Sequence, residues 1–476
     1  MKKYLMYVDG EWAGNELDTM DVVNPANGEV IGTVPYGGKK EAQAAIEAAD
    51  RAFSSWSSLT AYERAGYLKK LQELMLENEE ELAETMTLEM GKPMKESRGE
   101  VRYAASFLEW FAEEGKRVYG ETIPSHLGGK RLQVWKKPVG VVGAITPWNF
   151  PAAMLTRKIG PALAAGCPVI MKPSRESPLT AVKLTELCVE AGFPKGVVNL
   201  VTGSSSQIAG ELMQNEKVRK ITFTGSTEIG KQLIRQSADQ VKKLSLELGG
   251  HAPMLVMDDA DLDKAVKGVV ASKFRNAGQT CICGNRIFVQ SGIYDEFVQK
   301  FSEEVQKLKV GDGLDEETDI GPLINKDGLE KVARHVEDAA RKGAKVVTGG
   351  KPITVKNGMY YTPTVMSEVS EDMILMKEET FGPVAPIMKV ETDEEAVRLA
   401  NQTPYGLAAY VFSENVARGM KIIEQLDYGI VGWNDGAPSA AQVPFGGMKE
   451  SGIGREGGHE GMDAFIESQY VSIGID

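Results

Sequence analysis

Two of the four cysteines, Cys281 and Cys283, stand one residue apart in the stretch NAGQTCICGNR. On an extended chain their side chains would point the same way, whereas on a tight turn they need not. Two thiolates are half of a zinc site, and no second Cys or His pair lies nearby in the sequence. Gly278 and Gly284 allow close backbone approach, which favours a catalytic thiol. Taken by itself, however, an isolated pair with this spacing is by default a pair of buried, inert thiols.

Two other stretches carry side chains suited to proton transfer and ligand binding. In LELGGHAP, Glu247 ends an apolar strand between two leucines, where partial desolvation would raise its pKa. In ITPWNFP, two prolines hold Asn149 in a stiff loop after a strand, where α/β sheets bind their ligands. The alternatives are a solvent-facing glutamate and an asparagine that bonds its own backbone.

The stretch FTGSTEIG predicts a strand that turns into a helix near Gly225 and Gly230. Free backbone N–H groups and the helix dipole could face a phosphate there. The spacing matches neither GxGxxG nor a Walker loop, so the stretch taken alone favours a plain tight turn over a phosphate site.

Composition limits the partners that the chain can have. Of its 476 residues, 42% are hydrophobic and 25% are charged, which suits two or three globular domains. The net charge of −13 repels nucleic acid and anionic lipid, so we expect neither as a general partner. We see no signal peptide and no membrane span, and the few cysteines favour a cytoplasmic location. The four histidines lie far apart, which argues against a metal site or a Ser-His-Asp triad.

Apolar periodicity predicts the elements that must position these residues. Residues 40–120 read as helices, and residues 131–145 read as two strands around a turn. From 168 to 250, short apolar runs alternate with helical segments, which predicts a doubly wound parallel sheet. A second alternating series, roughly 250 to 455, predicts a second α/β domain. The apolar segments QVWKKP and SQYVSIGI look like edge strands that invite pairing with another subunit.

Taken together, TPWNFP, FTGSTEIG, LELGG, NAGQTC, EETFGP and PFGGMKESGIGRE resemble, in order and spacing, the motifs of the aldehyde dehydrogenase superfamily. The resemblance covers nearly the whole chain. It implies an α/β fold with a Rossmann-like cofactor domain, a catalytic α/β domain and a β oligomerisation arm that makes a homodimer or homotetramer. The implied boundaries are 1–119 and 139–249 for the NAD(P)-binding domain, 250–458 for the catalytic domain, and 120–138 and 459–476 for the arm.

The same resemblance implies roles for individual residues. Cys281 would attack the aldehyde to form a thiohemiacetal and then a thioester, while Asn149 would help to hold the oxyanion. Glu247 would activate the water that hydrolyses the thioester, and Glu379 would bind the nicotinamide ribose. The implied cofactor-binding positions are Ile145, Thr146, Pro147, Trp148, Lys172, Ser174, Arg175, Gly225, Ser226, Leu248, Glu379 and Phe381.

Within the superfamily, SKFRNAGQTCICGNR and MLTRKIGPALAAGC resemble the succinate-semialdehyde dehydrogenases. Those enzymes hold the substrate carboxylate with two arginines and a serine, and the matching positions are Arg157, Arg275 and Ser439. A guanidinium offers a fork of donors to a carboxylate, although both arginines could instead pair with structural acids. We therefore expect a small anionic aldehyde, succinic semialdehyde first. The alternatives are another semialdehyde, a sulfonated, aliphatic or aromatic aldehyde, a CoA-acylating enzyme, and a structural crystallin-like protein.

Two further expectations, the choice of cofactor and the role of Cys283, each depend on a single position of the sequence. NAD-preferring relatives carry a glutamate three residues after the lysine that here is Lys172, whereas this chain has Arg175 there. A cation attracts a 2′-phosphate and a carboxylate repels it, so we expect NADP acceptance or preference. Some members of the subgroup use a second cysteine as a redox partner, and Cys283 has that spacing from Cys281. A ring closed over one residue is strained and easily reduced.

Overall fold

The computed structural model describes residues 2–353, 355 and 357–475. The chain begins with two antiparallel hairpins and four helices. These elements are β1 (Met6–Val8), β2 (Glu11–Ala13), β3 (Thr19–Val23), β4 (Val30–Pro35), α1 (Lys39–Ser58), α2 (Ala61–Glu77), α3 (Glu79–Met90) and α4 (Met94–Glu114). The Thr60 hydroxyl accepts from the Glu63 N–H and the Glu63 carboxylate accepts from the Thr60 N–H, so reciprocal capping starts α2.

The next part of the chain alternates strands with helices, as its apolar runs predict. It contains β5 (Glu121–Ile123), β6 (Lys130–Pro138), β7 (Val141–Ile145), α5 (Ala153–Ala165), β8 (Val169–Lys172), α6 (Leu179–Glu190), β9 (Val198–Leu200), α7 (Ser205–Gln214), β10 (Val218–Thr224), α8 (Thr227–Ser237) and β11 (Lys243–Glu247). The two strands predicted over 131–145 belong to different sheets, because the chain turns at Gly140, whose φ of +120° favours glycine.

The remaining elements form the second alternating series and the C-terminal strand. They are β12 (Ala252–Val256), α9 (Leu262–Phe274), β13 (Gly284–Gln290), α10 (Tyr294–Val305), α11 (Lys326–Arg341), β14 (Lys345–Thr348), β15 (Pro352–Ile353), β16 (Tyr360–Tyr361), β17 (Thr364–Ser367), β18 (Val384–Val390), α12 (Asp393–Asn401), β19 (Ala408–Phe412), α13 (Val416–Ile423), β20 (Ile430–Trp433), β21 (Gly452–Ile453), α14 (Glu460–Asp463) and β22 (Ile466–Gly474).

Two large sheets organise the molecule, and the prediction of an α/β fold is confirmed. The first has the order β2-β1-β9-β8-β7-β10-β11-β21, in which the five strands from β9 to β11 are parallel. Its edges, β1, β2 and β21, are antiparallel, which the alternation of strands and helices did not predict. β21 joins this sheet although it lies within the range 250–458. The central strand β7 is apolar and buried along its whole length, as expected for a parallel strand covered by helices on both faces.

The second sheet has the order β14-β17-β18-β13-β12-β19-β20 and is parallel except for β14. A third sheet, β22-β6-β5, is antiparallel, and residues 466–474 pair along the whole of 130–138. Among the residues described, no helix combines the length and the apolar character needed to cross a membrane.

The carboxyl ends of four neighbouring parallel strands meet at one edge of the first sheet. Lys172 at the end of β8 is opposite Ile145 at the end of β7, and Glu247 at the end of β11 is opposite Thr224 of β10. Four residues after β11 the chain enters β12 of the second sheet. The strand ends that carry the predicted site residues therefore face the junction of the two sheets.

Candidate active site

A cavity of about 310 Å³ lies at this junction, and a narrow pocket lies beyond it. Cys281 and Met154 line both. The larger cavity is lined by Pro147, Trp148, Asn149, Met154, Thr224, Gly225, Ser226, Leu248, Gly249, Gln279, Cys281, Ile324, Asn325, Gly328, Lys331, Glu379, Thr380 and Phe381. The narrow pocket is lined by Tyr103, Phe150, Ala153, Met154, Arg157, Arg275, Thr280, Cys281, Ile282, Ser439 and Phe445.

The loop that carries Cys281 is held in an uncommon backbone conformation. Asn276, Ala277 and Gly278 have φ values of +51°, +54° and +73°, in the left-handed region. A Cβ on Gly278 would collide with the Gly382 carbonyl oxygen, so this position requires glycine. Backbone strain of this kind persists only where the surroundings enforce it, and it clusters at functional sites.

Buried charges on α4 and just before it enforce that conformation. The Glu96 carboxylate accepts from the Asn276 N–H at 2.8 Å, and Lys92 Nζ donates to the Asn149 carbonyl at 2.8 Å. Lys92 also pairs with Glu100, which accepts from two backbone N–H groups at the start of α5. The sequence analysis missed this group, although its charged residues recur every four positions and so share one helix face.

Asn149 is fixed at both its backbone and its side chain. Its carbonyl oxygen also accepts from Asn276 Nδ2 at 3.0 Å, and its own amide donates to the Gln279 carbonyl at 3.0 Å. The side chain is therefore bonded to the loop that carries Cys281 rather than to its own backbone. A second amide hydrogen remains for an oxygen placed next to Cys281.

Glu247 lies at the end of β11 and is 3% exposed. Its Oε2 atom has no hydrogen-bond partner within the described part of the chain. Burial raises its pKa well above the usual value, and the neighbouring Glu456 carboxylate raises it further. The desolvated strand-end carboxylate inferred from the sequence pattern is therefore present.

Glu456 forms the centre of a buried charge cluster that the sequence analysis missed. Its carboxylate pairs with Lys158 and lies 2.9 Å from Arg157 Nη2, without the alignment of a hydrogen bond. Lys158 also donates to the Thr224 hydroxyl at 2.6 Å. Although burial opposes its charge, the two cations keep the pKa of Glu456 below the usual value. Glu456 ends the motif PFGGMKESGIGRE, but it lies about 300 positions from Arg157 and Lys158 in the sequence, so the motif does not reveal this pairing.

The two neighbouring cysteines face different surroundings. Cys281 is partly exposed to both cavities, and burial raises the pKa of its thiol to about 12. Cys283 Sγ is buried, 3.3 Å from the Gly278 carbonyl and 3.7 Å from Lys273 Nζ. All four cysteines are free thiols. A disulfide between Cys281 and Cys283 would require this turn to rearrange and stays a prediction.

The two arginines expected to bind substrate both line the narrow pocket, with Ser439 beside them. Arg157 is buried, pairs with Glu456 and lies 3.9 Å from the centre of the Phe445 ring. Arg275 is half-buried over Phe150 at 4.8 Å, and no described carboxylate lies within 4 Å of it. Pairing with a structural acid, the alternative considered above, therefore occurs at Arg157 and was not found at Arg275.

The expected cofactor residues divide into two groups. Those that line the larger cavity are Pro147, Trp148, Gly225, Ser226, Leu248, Glu379 and Phe381. The Ser226 hydroxyl accepts from the Ile229 N–H and begins α8. The Glu379 carboxylate accepts from the Gly250 N–H at 3.2 Å, and burial raises its pKa to about 7.

The second group lies outside this cavity, at the ends of β7 and β8. It comprises Ile145, Thr146, Lys172, Ser174 and Arg175. The Thr146 N–H donates to the Lys172 carbonyl at 3.1 Å, so the two strand ends are tied together. Lys172 Nζ donates to the Ser205 hydroxyl at 2.5 Å, while Arg175 is exposed. Burial and the Arg175 cation lower the pKa of Lys172 to about 8.

Among the residues that the structure describes, no group of three or more His, Cys, Asp or Glu side chains is arranged to hold a metal ion.

Comparison with known proteins agrees with the geometry of this site. Residues 12–471 match the aldehyde dehydrogenase family. The chain is 53% identical to the NADP(+) succinate-semialdehyde dehydrogenase of Escherichia coli (strain K12), covering 98% of this chain and 97% of that one. It is 52% identical to the glutarate-semialdehyde dehydrogenase of Pseudomonas putida (strain KT2440), with the same coverage.

Solved structures give the same assignment. Succinate-semialdehyde dehydrogenase from Burkholderia pseudomallei superimposes with a TM-score of 0.98 at 50% identity, covering 99% of this chain and 98% of that one. Betaine aldehyde dehydrogenase from Staphylococcus aureus, in complex with NAD+, superimposes with a TM-score of 0.97 at 39% identity, covering 99% and 95%. The chain therefore belongs to the aldehyde dehydrogenase family.

Proposed function

We propose that this chain oxidises a short aldehyde with a carboxylate at its far end, succinic semialdehyde first, to the dicarboxylic acid, with NADP or NAD as oxidant. The observation that supports this most is Arg275, a pocket cation that has no carboxylate within 4 Å among the described residues and feels the charge of Glu96 only from farther away. A partly buried cation without a close partner is stabilised when a ligand supplies the counter-charge. The names of the relatives at 53% and 52% identity point to the same substrate class.

In this proposal Cys281 is the nucleophile. Its thiol must first lose a proton, because a pKa of about 12 keeps it neutral near pH 7. The sulfur then attacks the aldehyde carbon to form a thiohemiacetal. The Asn149 amide and the Cys281 backbone N–H hold the oxygen that becomes negative, and one such donor typically contributes about 3 kcal/mol.

Glu247 is assigned to the second half of the reaction. Loss of hydride from the thiohemiacetal leaves a thioester on Cys281, and water must attack it to release the acid. Glu247 is buried beside the cavity and has a raised pKa, so its carboxylate form is a strong base for that water. Arg157 and Lys158 oppose the rise in its pKa and so keep the carboxylate form accessible.

The larger cavity fits the nicotinamide end of NAD(P). Its size of about 310 Å³ lies within the range for small-molecule sites, and the start of α8 presents Gly225 and Ser226 to it. Bound there, the cofactor would supply the hydride acceptor. Trp148 and Phe381 meet edge to face at 5.6 Å and would form part of its wall. Glu379 would accept from ribose hydroxyls.

We further propose that NADP is accepted and preferred. Lys172 and Arg175 lie close enough for one cation to lower the pKa of the other. A 2′-phosphate between them would relieve this repulsion and accept hydrogen bonds from both. The NADP(+) relative at 53% identity supports this choice.

The proposed domain division and assembly rest on the three sheets. We assign 1–119 and 139–249 to cofactor binding, 250–458 to catalysis, and 120–138 with 459–476 to an oligomerisation arm. The arm exposes Trp135 and Tyr470 at 47% and 62%, an unusual surface for a single molecule in water. We propose that the arm pairs subunits into a homodimer or homotetramer. The four free thiols suit a reducing cytoplasm.

A substrate panel with both cofactors tests the proposed function. We expect kcat/KM to be highest for succinic semialdehyde with NADP, followed by glutaric semialdehyde, and far lower for butanal, which lacks the carboxylate. Arg275→Gln should raise KM for succinic semialdehyde by roughly 10- to 100-fold and leave KM for butanal nearly unchanged. Arg51→Gln, an exposed change near the N-terminal hairpin, is the matched control.

Several outcomes would contradict the proposal. Equal kcat/KM for butanal and the semialdehydes would favour a general aliphatic aldehyde dehydrogenase. Strong NAD preference would refute the cofactor choice alone. No oxidation of any aldehyde would favour a structural, crystallin-like role.

A further inference from the structure

The Tyr103 hydroxyl is buried close to the Ser439 hydroxyl, but no well-aligned hydrogen bond satisfies it within the described residues. Tyr103 lies on α4, and its ring packs edge-on against Phe107 with ring centres 4.9 Å apart. Buried hydroxyl groups almost always find a partner, because an unmade hydrogen bond costs their desolvation in full. Because the packed ring fixes the position of this hydroxyl, we infer that a bound ligand supplies the missing hydrogen-bond partner.

The position of this hydroxyl indicates what that partner is. Tyr103 lines the narrow pocket together with Arg157, Arg275, Ser439 and Cys281. Burial raises the pKa of Tyr103, while the charges of both arginines and the nearby Ser439 hydroxyl lower it. The phenol therefore stays protonated near pH 7 and can donate one hydrogen bond.

The pocket has more free donors than its own acceptors use. Arg157 Nε is buried without a partner, and Arg275 has no carboxylate within 4 Å in the described chain. The Ser439 and Tyr103 hydroxyl groups add one donor each. A carboxylate offers two oxygens with about four lone-pair sites, which matches these four side chains. No neutral end group accepts as many hydrogen bonds or balances the guanidinium charge.

We propose that the Tyr103 hydroxyl donates a hydrogen bond to the distal carboxylate of the substrate and thereby selects anionic aldehydes. This inference rests on the proposed function and adds a fourth side chain to the two arginines and the serine. Tyr103 is then a substrate-binding residue with no part in the chemistry at Cys281. A site that leaves a buried donor unmatched discriminates strongly against a substrate lacking the acceptor.

The test compares Tyr103→Phe with the wild-type protein on two aldehydes of equal length. We expect KM for succinic semialdehyde to rise roughly 10- to 150-fold, the usual range for a hydrogen bond to a charged group. KM for butanal and both kcat values should change less than about threefold. The melting temperature of the free protein should stay the same or rise, because the substitution removes a hydroxyl that the free protein leaves unsatisfied.

A second readout is independent of turnover. Calorimetric titration of the wild-type protein with succinate should give a dissociation constant that rises by the same factor in Tyr103→Phe, while butyrate should show no comparable preference for the wild-type protein. If Tyr103→Phe does not accumulate, Tyr103→Met provides an apolar side chain of similar reach for the same measurements.

The matched control is Tyr360→Phe. Tyr360 is more deeply buried than Tyr103, and its hydroxyl donates to the Ala26 carbonyl at 3.2 Å, away from both pockets. That change should lower the melting temperature and leave both KM values unchanged, the opposite pattern to Tyr103→Phe.

Each remaining outcome decides between the two proposals. If the wild-type protein prefers succinic semialdehyde and Tyr103→Phe leaves its KM unchanged, or raises both KM values equally, the role of Tyr103 is refuted. If the wild-type protein shows no preference for the anionic aldehyde, the proposed function itself fails.

Discussion

Arg157 and Arg275 line the same pocket from different layers of the molecule, and they differ in how their charge is balanced. Arg157 projects from α5 beside the first sheet and is paired inside the protein with Glu456. Arg275 follows α9 in the second layer, rests on Phe150 and has no acid within 4 Å in the described residues. The charge of Arg157 is therefore balanced by direct pairing within the protein, whereas Arg275 has no pairing partner at contact distance and interacts with Glu96 from farther away.

The difference extends to the rest of the site. Lys92, Lys158 and Arg157 each contact a buried carboxylate and hold backbone or side chains in place. Cys281, Glu247 and Arg275 have no such partner in the described part of the chain. Removing one member of a buried pair leaves an uncompensated charge, whereas removing an unpaired group leaves the fold intact. Paired groups should therefore determine stability, and unpaired groups should determine activity.

The largest effect is expected for the unpaired thiol. Cys281→Ala should lower kcat/KM for aldehyde oxidation by at least about 10⁴-fold, because the substitution removes the sulfur on which the proposed thioester forms. The melting temperature should change little. Cys188→Ala, at a buried thiol on α6, is the control and should keep its activity. Full activity in Cys281→Ala would refute the mechanism.

The next largest effect is expected at Glu456, a buried carboxylate that is paired with two cations. Glu456→Gln should lower the free energy of unfolding by about 3–5 kcal/mol, because it leaves two buried cations unbalanced. Denaturant titration measures this. Since the pKa of Glu456 is lowered in the folded protein, its contribution is present above the usual glutamate pKa and is lost as pH falls through the folded value. A loss below about 1 kcal/mol would show that the pairing is not structural.

A smaller effect is expected at the unpaired carboxylate. Glu247→Gln should slow hydrolysis of the thioester by roughly 10²- to 10⁴-fold and leave the first hydride transfer nearly unchanged. A burst of reduced cofactor followed by slow turnover would be seen in rapid mixing. An unchanged steady-state rate would remove Glu247 from its proposed role.

The smallest effect concerns the pH dependence of Cys281. With a pKa of about 12, its thiolate fraction in the free enzyme should rise about tenfold per pH unit between pH 7 and 10. The rate of alkylation by iodoacetamide should rise in parallel, and Cys281→Ala provides the background from the three buried cysteines. A plateau of the alkylation rate near pH 8 would instead show that the pKa of the thiol is lowered, as in activated cysteines.

The sequence predicted the parts of the site that depend on local pattern. Strand ends placed Glu247 and Lys172 at one edge of the first sheet because parallel strands share a direction. The prolines around Asn149 predicted a fixed loop. Glu456 and Tyr103 were missed because their importance arises from contacts with residues far along the chain, and a glutamate or a tyrosine alone carries no such signal.

The fold was predicted in the same uneven way. Alternating apolar runs were sufficient for the two α/β layers, since buried parallel strands need continuous apolar residues. The antiparallel edge strands β1, β2 and β21 were not predicted, because two or three residues carry no recognisable period. The left-handed backbone at Asn276 and Ala277 was also missed, since neither residue type requires it.

Because Arg157 and Arg275 belong to separate layers of the molecule, a ligand that binds both should stabilise the folded protein. A dicarboxylic acid that contacts both arginines would link α5 to the loop after α9, and this link would be lost when the ligand dissociates. At 100 times its dissociation constant, such a ligand would add about 2.7 kcal/mol to the free energy of unfolding. The melting temperature of the protein would then report the ligand occupancy of the pocket, even when no oxidation takes place.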